Sequence, residues 1–258
     1  MGFADNALTC DGFLGGKLRI LQPRAGYRAA TDPVFLAATV PAQAGQSVLE
    51  LGCGAGVALL SLGRRVPGLQ LFGVELQPDY ADLARRNAAT NGVACTIHCA
   101  DLTQMPADLR TQNFDHVIAN PPYFPKASGT AAADSGRETA QREALELGIW
   151  VKTGLRRLRP GGYLTLIQQA DRLPEILHAA QGSIRVLPLA ARSGRPANRV
   201  IVQIRKGGRA PFQLLAPLVL HHGAAHMGDF DSHTAIARAV LRAGQPLILG
   251  EHTASDQP

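Results

Sequence analysis

The chain has 258 residues, 46% of them hydrophobic, which is enough for one large domain or two small ones with a real core. No apolar run approaches the roughly 18 residues that span a bilayer, and the N-terminus has no secretion signal, so we expect a soluble cytoplasmic protein. The net charge is +6 and all but four of the 26 basic residues are arginine, which fits a nucleic-acid partner or a GC-rich genome equally well.

Predicted strands and helices alternate along the chain. A small β-hairpin is expected within Phe13–Leu21, and Asp32-Pro33 opens a short helix that runs through Val40. The predicted strands that follow are Ser47–Leu51, Leu69–Val74, Cys95–His98, Phe114–Ala119, Tyr163–Gln168, Ser183–Pro188 and Arg199–Arg205. The predicted helices between them are Val57–Val66, Pro78–Asn91 and Leu145–Leu158. This alternation, with nearly continuous apolar strands, predicts an α/β fold with a mostly parallel, doubly wound sheet.

A glycine-rich turn follows the first strand of this sheet, in the run from Glu50 to Gly56. Its glycines at 52, 54 and 56 allow a tight turn and let a ligand approach the backbone at a helix N-terminus. A dinucleotide fingerprint needs glycine at the next position, where Val57 stands. The spacing, with an acid two residues before the first glycine, resembles motif I of the class I methyltransferases, which bind S-adenosylmethionine (SAM).

Two acidic residues follow the next two strands. Glu75 closes one strand and is suited to accept hydrogen bonds from both hydroxyls of a ribose. Asp101 follows the other strand and is suited to accept from an adenine amino group, with Leu102 packed on the ring. Either acid alone is more often a helix cap or a solvated carboxylate; their recurrence at consecutive strand ends favours a nucleotide-like ligand.

The most informative motif is Asn120-Pro121-Pro122-Tyr123, directly after the strand Phe114–Ala119. Two prolines cannot extend a central strand, so the chain stops there in a stiff conformation at the carboxyl end of the sheet, where ligands bind. The Asn120 side-chain oxygen and the Pro121 carbonyl suit a planar group that carries an NH₂, and Tyr123 suits stacking on a base. The four residues are the candidate catalytic residues, although Asn-Pro also occurs as a simple turn.

Together these motifs resemble the bacterial valine-tRNA adenine-N6 methyltransferases, from Leu14 to about Ala243. Further matching segments are Gly26–Asp32 and Arg195–Val200. The resemblance implies a seven-stranded SAM-binding fold, N6-methylation of the adenine at position 37 of a tRNA, and S-adenosylhomocysteine as product. It also implies a hairpin and helix at residues 1–40 that cover the cofactor site and a SAM-dependent domain at 41–250. The tail at 251–258 is polar and is expected to be disordered. The candidate cofactor-binding residues are Tyr27, Arg28, Thr31, Asp32, Glu50, Gly52, Gly54, Gly56, Glu75, Leu76, Asp101, Leu102 and Asn120.

A basic stretch without acids lies between residues 185 and 209. A run of one sign near a base-modifying site favours a phosphate track over an ordinary solvated surface. The candidate RNA-binding residues are Arg137, Arg142, Arg192, Arg195, Arg199, Arg205 and Lys206. His221, His222, His226 and His233 match no standard metal spacing, so no metal is predicted.

Other functions remain open from the sequence. Protein glutamine N5-methylation would present the same amide NH₂ to Asn120, and ribosomal RNA base N-methylation would use a similar site. A non-catalytic RNA-binding module on the same scaffold is the alternative from another class. The oligomeric state, monomer or homodimer, is also open.

Overall fold

The computed structural model describes residues 2–123, 147–223 and 232–250. It begins with an antiparallel hairpin made of β1 (Leu8–Phe13) and β2 (Leu18–Pro23). The predicted hairpin at Phe13–Leu21 was too short and its strands were misplaced. The reversal occurs at Leu14–Gly16, where three successive residues have positive φ, a conformation that glycine allows at two of them.

The hairpin is followed by the main sheet, whose strand order is β10-β8-β9-β7-β6-β3-β4-β5 with β11 paired to β8. Seven strands carry this sheet, as the resemblance implied, and two strands of two residues each extend its edge. The strands are β3 (Ser47–Leu51), β4 (Gln70–Glu75), β5 (Thr96–Cys99), β6 (Phe114–Ala119), β7 (Leu158–Gln169), β8 (Ser183–Ala190), β9 (Ala197–Arg205), β10 (Gln213–Leu214) and β11 (Leu218–Val219). Among the seven, only β9 runs antiparallel to its neighbours. The α/β, mostly parallel fold is therefore confirmed.

Helices cover both faces of the sheet. They are α1 (Asp32–Thr39), α2 (Val57–Arg65), α3 (Pro78–Asn91), α4 (Ala107–Thr111), α5 (described over residues 147–157), α6 (Leu173–Ala179) and α7 (Ala235–Arg238), which continues into a π-helical turn, Ala239–Ala243. Two large apolar clusters lie on opposite sides of the sheet, one around Phe35, Leu59 and Ile201 and the other around Phe114 and Leu164. None of the helices in the described parts of the chain has the length and apolarity that spanning a membrane requires.

Two asparagines of α3 attach the hairpin to the main body. Asn87, which is fully buried, accepts from the backbone N–H of Leu21 and donates to the carbonyls of Leu21 and Ala55. Asn91, one helical turn later, makes the equivalent pair of hydrogen bonds with the backbone of Arg19. Asn87 thus links the hairpin directly to the glycine-rich turn, at the carboxyl edge of the sheet.

Candidate active site

Four adjacent strands bring their carboxyl ends together at one edge of the sheet. In the order β6-β3-β4-β5 they deliver Asn120, Glu50, Glu75 and Asp101, although these residues are spread over 71 positions of the sequence. Parallel pairing aligns Leu51 with both Val74 and Ala119, so the strands end at nearly the same level. A cavity of about 280 Å³ opens there, at the place where open α/β sheets bind ligands.

Most of the residues expected to hold a cofactor line this cavity. They are Tyr27, Glu50, Gly52, Gly54, Glu75, Leu76, Asp101, Leu102 and Asn120, together with Pro122 of the Asn-Pro-Pro-Tyr motif. Gly56 lies just behind the lining as the N-cap of α2, with φ 85°. The sequence had not pointed to Trp150, Tyr80, Pro33 or Cys53, which also line the cavity. Trp150 is the only tryptophan of the chain, and this rarity is the one signal in the composition that points to it.

The glycine-rich turn makes room for an aromatic wall. Gly52 has φ 60°, and a Cβ atom at this position would overlap the indole ring of Trp150. Gly54 has φ 52°, and a Cβ there would come no closer than 3.8 Å to any atom, that atom being on the Tyr27 ring. Gly52 is therefore required by both its backbone conformation and the packing of α5, whereas Gly54 keeps the turn open toward the cavity.

Two carboxylates lie close to each other at the floor of the cavity. Glu50 is 2% exposed and accepts one hydrogen bond, 3.0 Å, from the N–H of Leu59. Burial, and secondarily the charge of Glu75, raises the pKa of Glu50 well above its usual range. Within the described residues, no cation forms a salt bridge with Glu50. Its ionised form would therefore be stabilised by a ligand that brings positive charge or hydrogen-bond donors.

Glu75 and Asp101 each combine a structural hydrogen bond with a position facing the cavity. The two oxygens of Glu75 accept from the backbone N–H groups of Gly54 and Gln77, both at 2.9 Å. Asp101 Oδ1 accepts from the N–H and hydroxyl of Thr103, both at 2.7 Å. A carboxylate oxygen has two lone-pair sites, so these contacts orient both acids and leave them able to accept from a ligand.

Asn120 is held by tyrosines on both sides. Its Nδ2 donates to the hydroxyl of Tyr27 at 3.4 Å, and its Oδ1 lies 3.3 Å from the hydroxyl of Tyr123, whose single proton is donated to Asp32. The carbonyl of Pro121 accepts from Nε2 of the buried Gln168 at 3.3 Å. The Pro121 oxygen is thus oriented by a long, weak hydrogen bond and retains a second lone pair, and the Asn120 oxygen remains able to accept from an amine.

A three-residue network supports Tyr123 from below. Its hydroxyl donates to Asp32 Oδ2 at 2.6 Å, Arg199 Nε donates to the same oxygen at 3.0 Å, and the guanidinium of Arg199 covers one face of the ring. Burial and the neighbouring Asp32 raise the pKa of Tyr123 far above its usual range. Asp32 and Tyr123 do not line the cavity, so the side chain of Asp32 acts here on the motif, not on the cavity.

Arg28 and Thr31, both expected at the cofactor, lie outside the cavity lining. Arg28 donates to Thr9 and to the carbonyl of Pro23 and pairs with Asp11 at 2.6 Å, so its charge is used to close the hairpin. Thr31 precedes α1 and faces a different hollow, beside Phe13. Of the segment 27–32, the part that reaches the cavity is Tyr27 together with Ala29.

The basic residues expected to form one RNA-binding track do not lie together. Arg195 is exposed in the loop between β8 and β9, and Arg192 in the same loop donates to the carbonyls of His222 and Gly223.

Arg205 is six residues beyond Arg199 on β9, about 20 Å away at 3.4 Å per residue, at the other end of the strand. Lys206 next to it donates to the carbonyl of Leu158 at 2.6 Å. Arg199, Arg205 and Lys206 therefore do not form one compact group, and their contact with RNA stays a prediction. Arg137 and Arg142 lie outside the described residues.

The histidines of the C-terminal region form a contact but not a metal-type cluster. The rings of His221 and His233 are 4.6 Å apart, and His221 Nδ1 lies 3.0 Å from the hydroxyl of Ser232. Among the residues described, no three His, Cys, Asp or Glu side chains are grouped as a metal site would require. His226 lies outside the described residues.

Comparison with known proteins gives matches over most of the chain. A family model described as a methyltransferase domain matches residues 48–135. A tRNA1(Val) (adenine(37)-N6)-methyltransferase of Yersinia enterocolitica is 30% identical over 213 residues, which cover 79% of this chain and 84% of that protein. The protein of the same name from Dickeya chrysanthemi is 31% identical over 219 residues, covering 81% and 85%.

A solved structure supports the fold independently. A predicted O-methyltransferase from Agrobacterium tumefaciens superposes with a TM-score of 0.68 at 24% identity, covering 85% of this chain and 99% of that one. At this identity the likeness concerns the fold alone, and it agrees with a mostly parallel sheet covered by helices on both faces.

Proposed function

This chain belongs to the tRNA1(Val) (adenine(37)-N6)-methyltransferase family, and we propose that it transfers a methyl group from SAM to the exocyclic N6 of adenine 37 in a tRNA. One observation carries the proposal. Asn120 and Pro122, from the end of β6, line the same cavity as the acids of β3, β4 and β5. One cavity would thus hold both the methyl donor, a nucleoside-type ligand, and the amine that accepts the methyl group.

The donor side of the cavity fits SAM. When bound, SAM supplies a methyl group activated on a sulfonium centre. Glu75 would accept from the ribose hydroxyls, and Asp101 from the adenine amino group with Leu102 against the ring; Leu76 would pack beside them. The buried Glu50, which has no cationic partner among the described residues, would be stabilised by the positively charged methionine end. Tyr27 and Trp150 would contribute aromatic surfaces to the wall around it.

The acceptor side positions an amine. Asn120 Oδ1 and the Pro121 carbonyl would accept from the two N–H groups of the adenine, which turns the nitrogen lone pair away from the ring and toward the cavity. Tyr123, fixed by Asp32 and Arg199, would offer its free face to the base. Alignment of this kind contributes as much as roughly 7–11 kcal/mol to catalysis in favourable cases, and it requires no strong base from the protein.

The tRNA would approach over the loop between β8 and β9. Arg195 is exposed in this loop, at the carboxyl edge of the sheet, whereas Arg199, two residues into β9, is paired with Asp32. A base inside a folded anticodon loop must leave its stack to reach Asn120, and the charge of Arg195 would hold an adjoining phosphate while it does so.

The proposal is tested by product analysis. The full chain would be incubated with methyl-labelled SAM and, separately, with total tRNA, ribosomal RNA and total protein. We expect label in N6-methyladenosine from the tRNA fraction. Label in N2-methylguanosine or in N5-methylglutamine would contradict the proposal and identify the alternative substrate directly. The Asn120→Ala chain provides the control for label that is independent of the site.

A further inference from the structure

A second hollow, of about 290 Å³, lies beside the candidate active site and has no role in the proposed methyl transfer. Leu102 belongs to the walls of both spaces. One wall of the hollow comes from the segment after β5, the other from α5. The lining residues are Leu102, Thr103, Met105, Arg110, Ile149, Lys152, Thr153, Arg156 and Arg157. As far as the described residues go, the lining contains four cations and no acidic residue.

The cationic side of the hollow is one face of α5. Ile149, Lys152, Thr153 and Arg156 are separated by three, four and seven positions, which places them on a single stripe of the helix. Lys152 and Arg156 are exposed, and Ile149 is 39% exposed although it is a large apolar residue. A helix face that exposes a large apolar residue to solvent in this way is typical of a binding surface for a partner.

The charges of this hollow have no carboxylate partner among the described residues. In the described part of the chain, no salt bridge involves Arg110, Lys152, Arg156 or Arg157. Arg157 is oriented by hydrogen bonds to the carbonyls of Leu109 and Arg110 at the end of α4. Burial, together with the like charges of Arg156 and Arg110, lowers the pKa of Arg157. The nearest acid of α4, Asp108, faces His98 instead, at 3.5 Å.

The combination of surfaces indicates what would bind. Leu102, Met105 and Ile149 provide an apolar floor, and the cations stand around it. Arginine guanidinium groups match phosphate geometry, and an apolar floor suits a ribose or a base. A purely acidic peptide would use the cations and leave the floor empty. A nucleotide uses both.

We infer that this hollow binds the phosphate and ribose of a nucleotide of the RNA substrate, next to the one that is methylated. The inference depends on the proposed function, because it takes RNA as the substrate. Trp150 and Arg156 lie on the same helix, six residues or about 9 Å apart at 1.5 Å per residue, so the hollow is within reach of nucleotides adjoining the methylated base. RNA would then be held on the α5 side as well as on the loop between β8 and β9.

The test compares two double charge reversals in the full chain. Lys152→Glu with Arg156→Glu alters the hollow without touching Arg157. Arg64→Glu with Arg19→Glu is the matched control, because both residues are exposed, neither lines the hollow and neither belongs to the basic stretch 185–209: Arg64 belongs to α2 and Arg19 to β2. Affinity for the tRNA substrate would be measured between about 50 and 200 mM salt, the range in which phosphate contacts are resolved. Affinity for SAM and the melting temperature serve as checks on folding.

We expect K152E/R156E to weaken tRNA binding at least about tenfold more than the control and to reduce the salt slope by roughly two contacts, at about 0.7–0.9 per phosphate. SAM affinity should stay within about twofold, and the loss in methyl transfer should fall on KM. If the unaltered chain binds and methylates tRNA but the two double variants have equal tRNA affinity, this inference alone is overturned. A chain that neither binds nor methylates RNA would overturn the proposed function as well.

Free adenosine monophosphate separates RNA from a small nucleotide as the ligand. We expect no binding of it to the hollow below millimolar concentration, because a single phosphate supplies only part of the contacts. Tight binding that K152E/R156E abolishes, with tRNA affinity unaffected, would contradict the assignment to RNA.

Discussion

The guanidinium carbon of Arg199 lies 4.5 Å from the centre of the Tyr123 ring, and both side chains share Asp32 Oδ2 as a hydrogen-bond acceptor. Asp32 and Arg199 are 167 residues apart in sequence, so this contact ties the start of α1 to β9 beneath the Asn-Pro-Pro-Tyr motif. A charged residue from the basic stretch therefore serves to position the motif, and a contact with RNA would have to use the rest of its guanidinium.

We expect Arg199→Ala to lower kcat by about ten- to a hundredfold, because Tyr123 loses the support on one face and Asp32 loses its partner. The salt slope of tRNA binding should hardly change, and Arg199→Lys should restore part of the rate by keeping a cation beside Asp32. Arg195→Ala, four residues away and exposed, is the matched comparison: it should raise KM, reduce the salt slope by about one contact and leave kcat unchanged. Indistinguishable effects of the two alanine variants on rate and slope would contradict this division of roles.

Asn120→Ala should reduce the single-turnover rate of methyl transfer at least about a hundredfold, since one oxygen that orients the amine is lost. Affinity for SAM, measured by calorimetry, should remain close to normal because Asp101, Glu75 and Glu50 are intact. A parallel loss of SAM affinity and rate would mean that Asn120 shapes the donor site and does not position the amine.

Glu50→Gln should stabilise the ligand-free protein at neutral pH. The pKa of Glu50 is higher in the folded state than in the unfolded state, so the folded state binds the proton more tightly and the free energy of unfolding falls as pH rises above the usual range of a carboxyl. The glutamine variant does not lose stability in this way as pH rises. Its melting temperature should therefore exceed that of the parent at neutral pH, and the difference should shrink toward acidic pH. Its SAM affinity should drop at least about tenfold, through the lost charge. A variant less stable than the parent at pH 7 would refute the idea of a carboxylate strained in the absence of ligand.

The contribution of His116 to the free energy of unfolding should have the opposite pH dependence. Burial lowers its pKa from 6.5 to about 4, so the unfolded chain takes up a proton that the folded chain excludes. Stability should therefore fall as pH decreases from 6.5 to about 4, by up to roughly 3 kcal/mol, at about 1.36 kcal/mol per pKa unit. Its Nε2 contacts Gln46 Oε1 at 2.9 Å, a contact that His116→Gln can partly keep. Melting curves of parent and variant between pH 7 and 4 should diverge; identical pH profiles would rule out His116 as the source.

The fold could be read from the sequence wherever the pattern was local and strong. The parallel strands β3 to β6 were correct to within one residue at each end, because strand-type runs alternate with helical patterns along this part of the chain. The hairpin was misplaced because Leu8–Phe13 mixes polar and apolar residues without clean alternation. Its position is set instead by Asn87 and Asn91 on α3, a tertiary contact that no local pattern reveals.

The residues of the site that lie at the carboxyl ends of strands could be predicted from the sequence. Glu50 and Glu75 lie at the ends of β3 and β4, Asp101 and Asn120 come just after β5 and β6, and parallel pairing brings such residues together. Trp150 was missed because its direction depends on how α5 packs against Gly52. The arrangement of the basic stretch could not be predicted, because Arg199 and Arg205 are close in sequence but occupy opposite ends of the same strand.

The most direct test of an amine clamp for one adenine uses two tRNA1(Val) transcripts that differ only at position 37. Each would be incubated with the full chain and methyl-labelled SAM, then digested to nucleosides. We predict one N6-methyladenosine per molecule of the transcript with adenine at position 37 and no label in the transcript with guanine there. Equal incorporation into both transcripts would show that the methylated group lies elsewhere, and would contradict the assignment of Asn120 and Pro121 as a clamp for adenine 37.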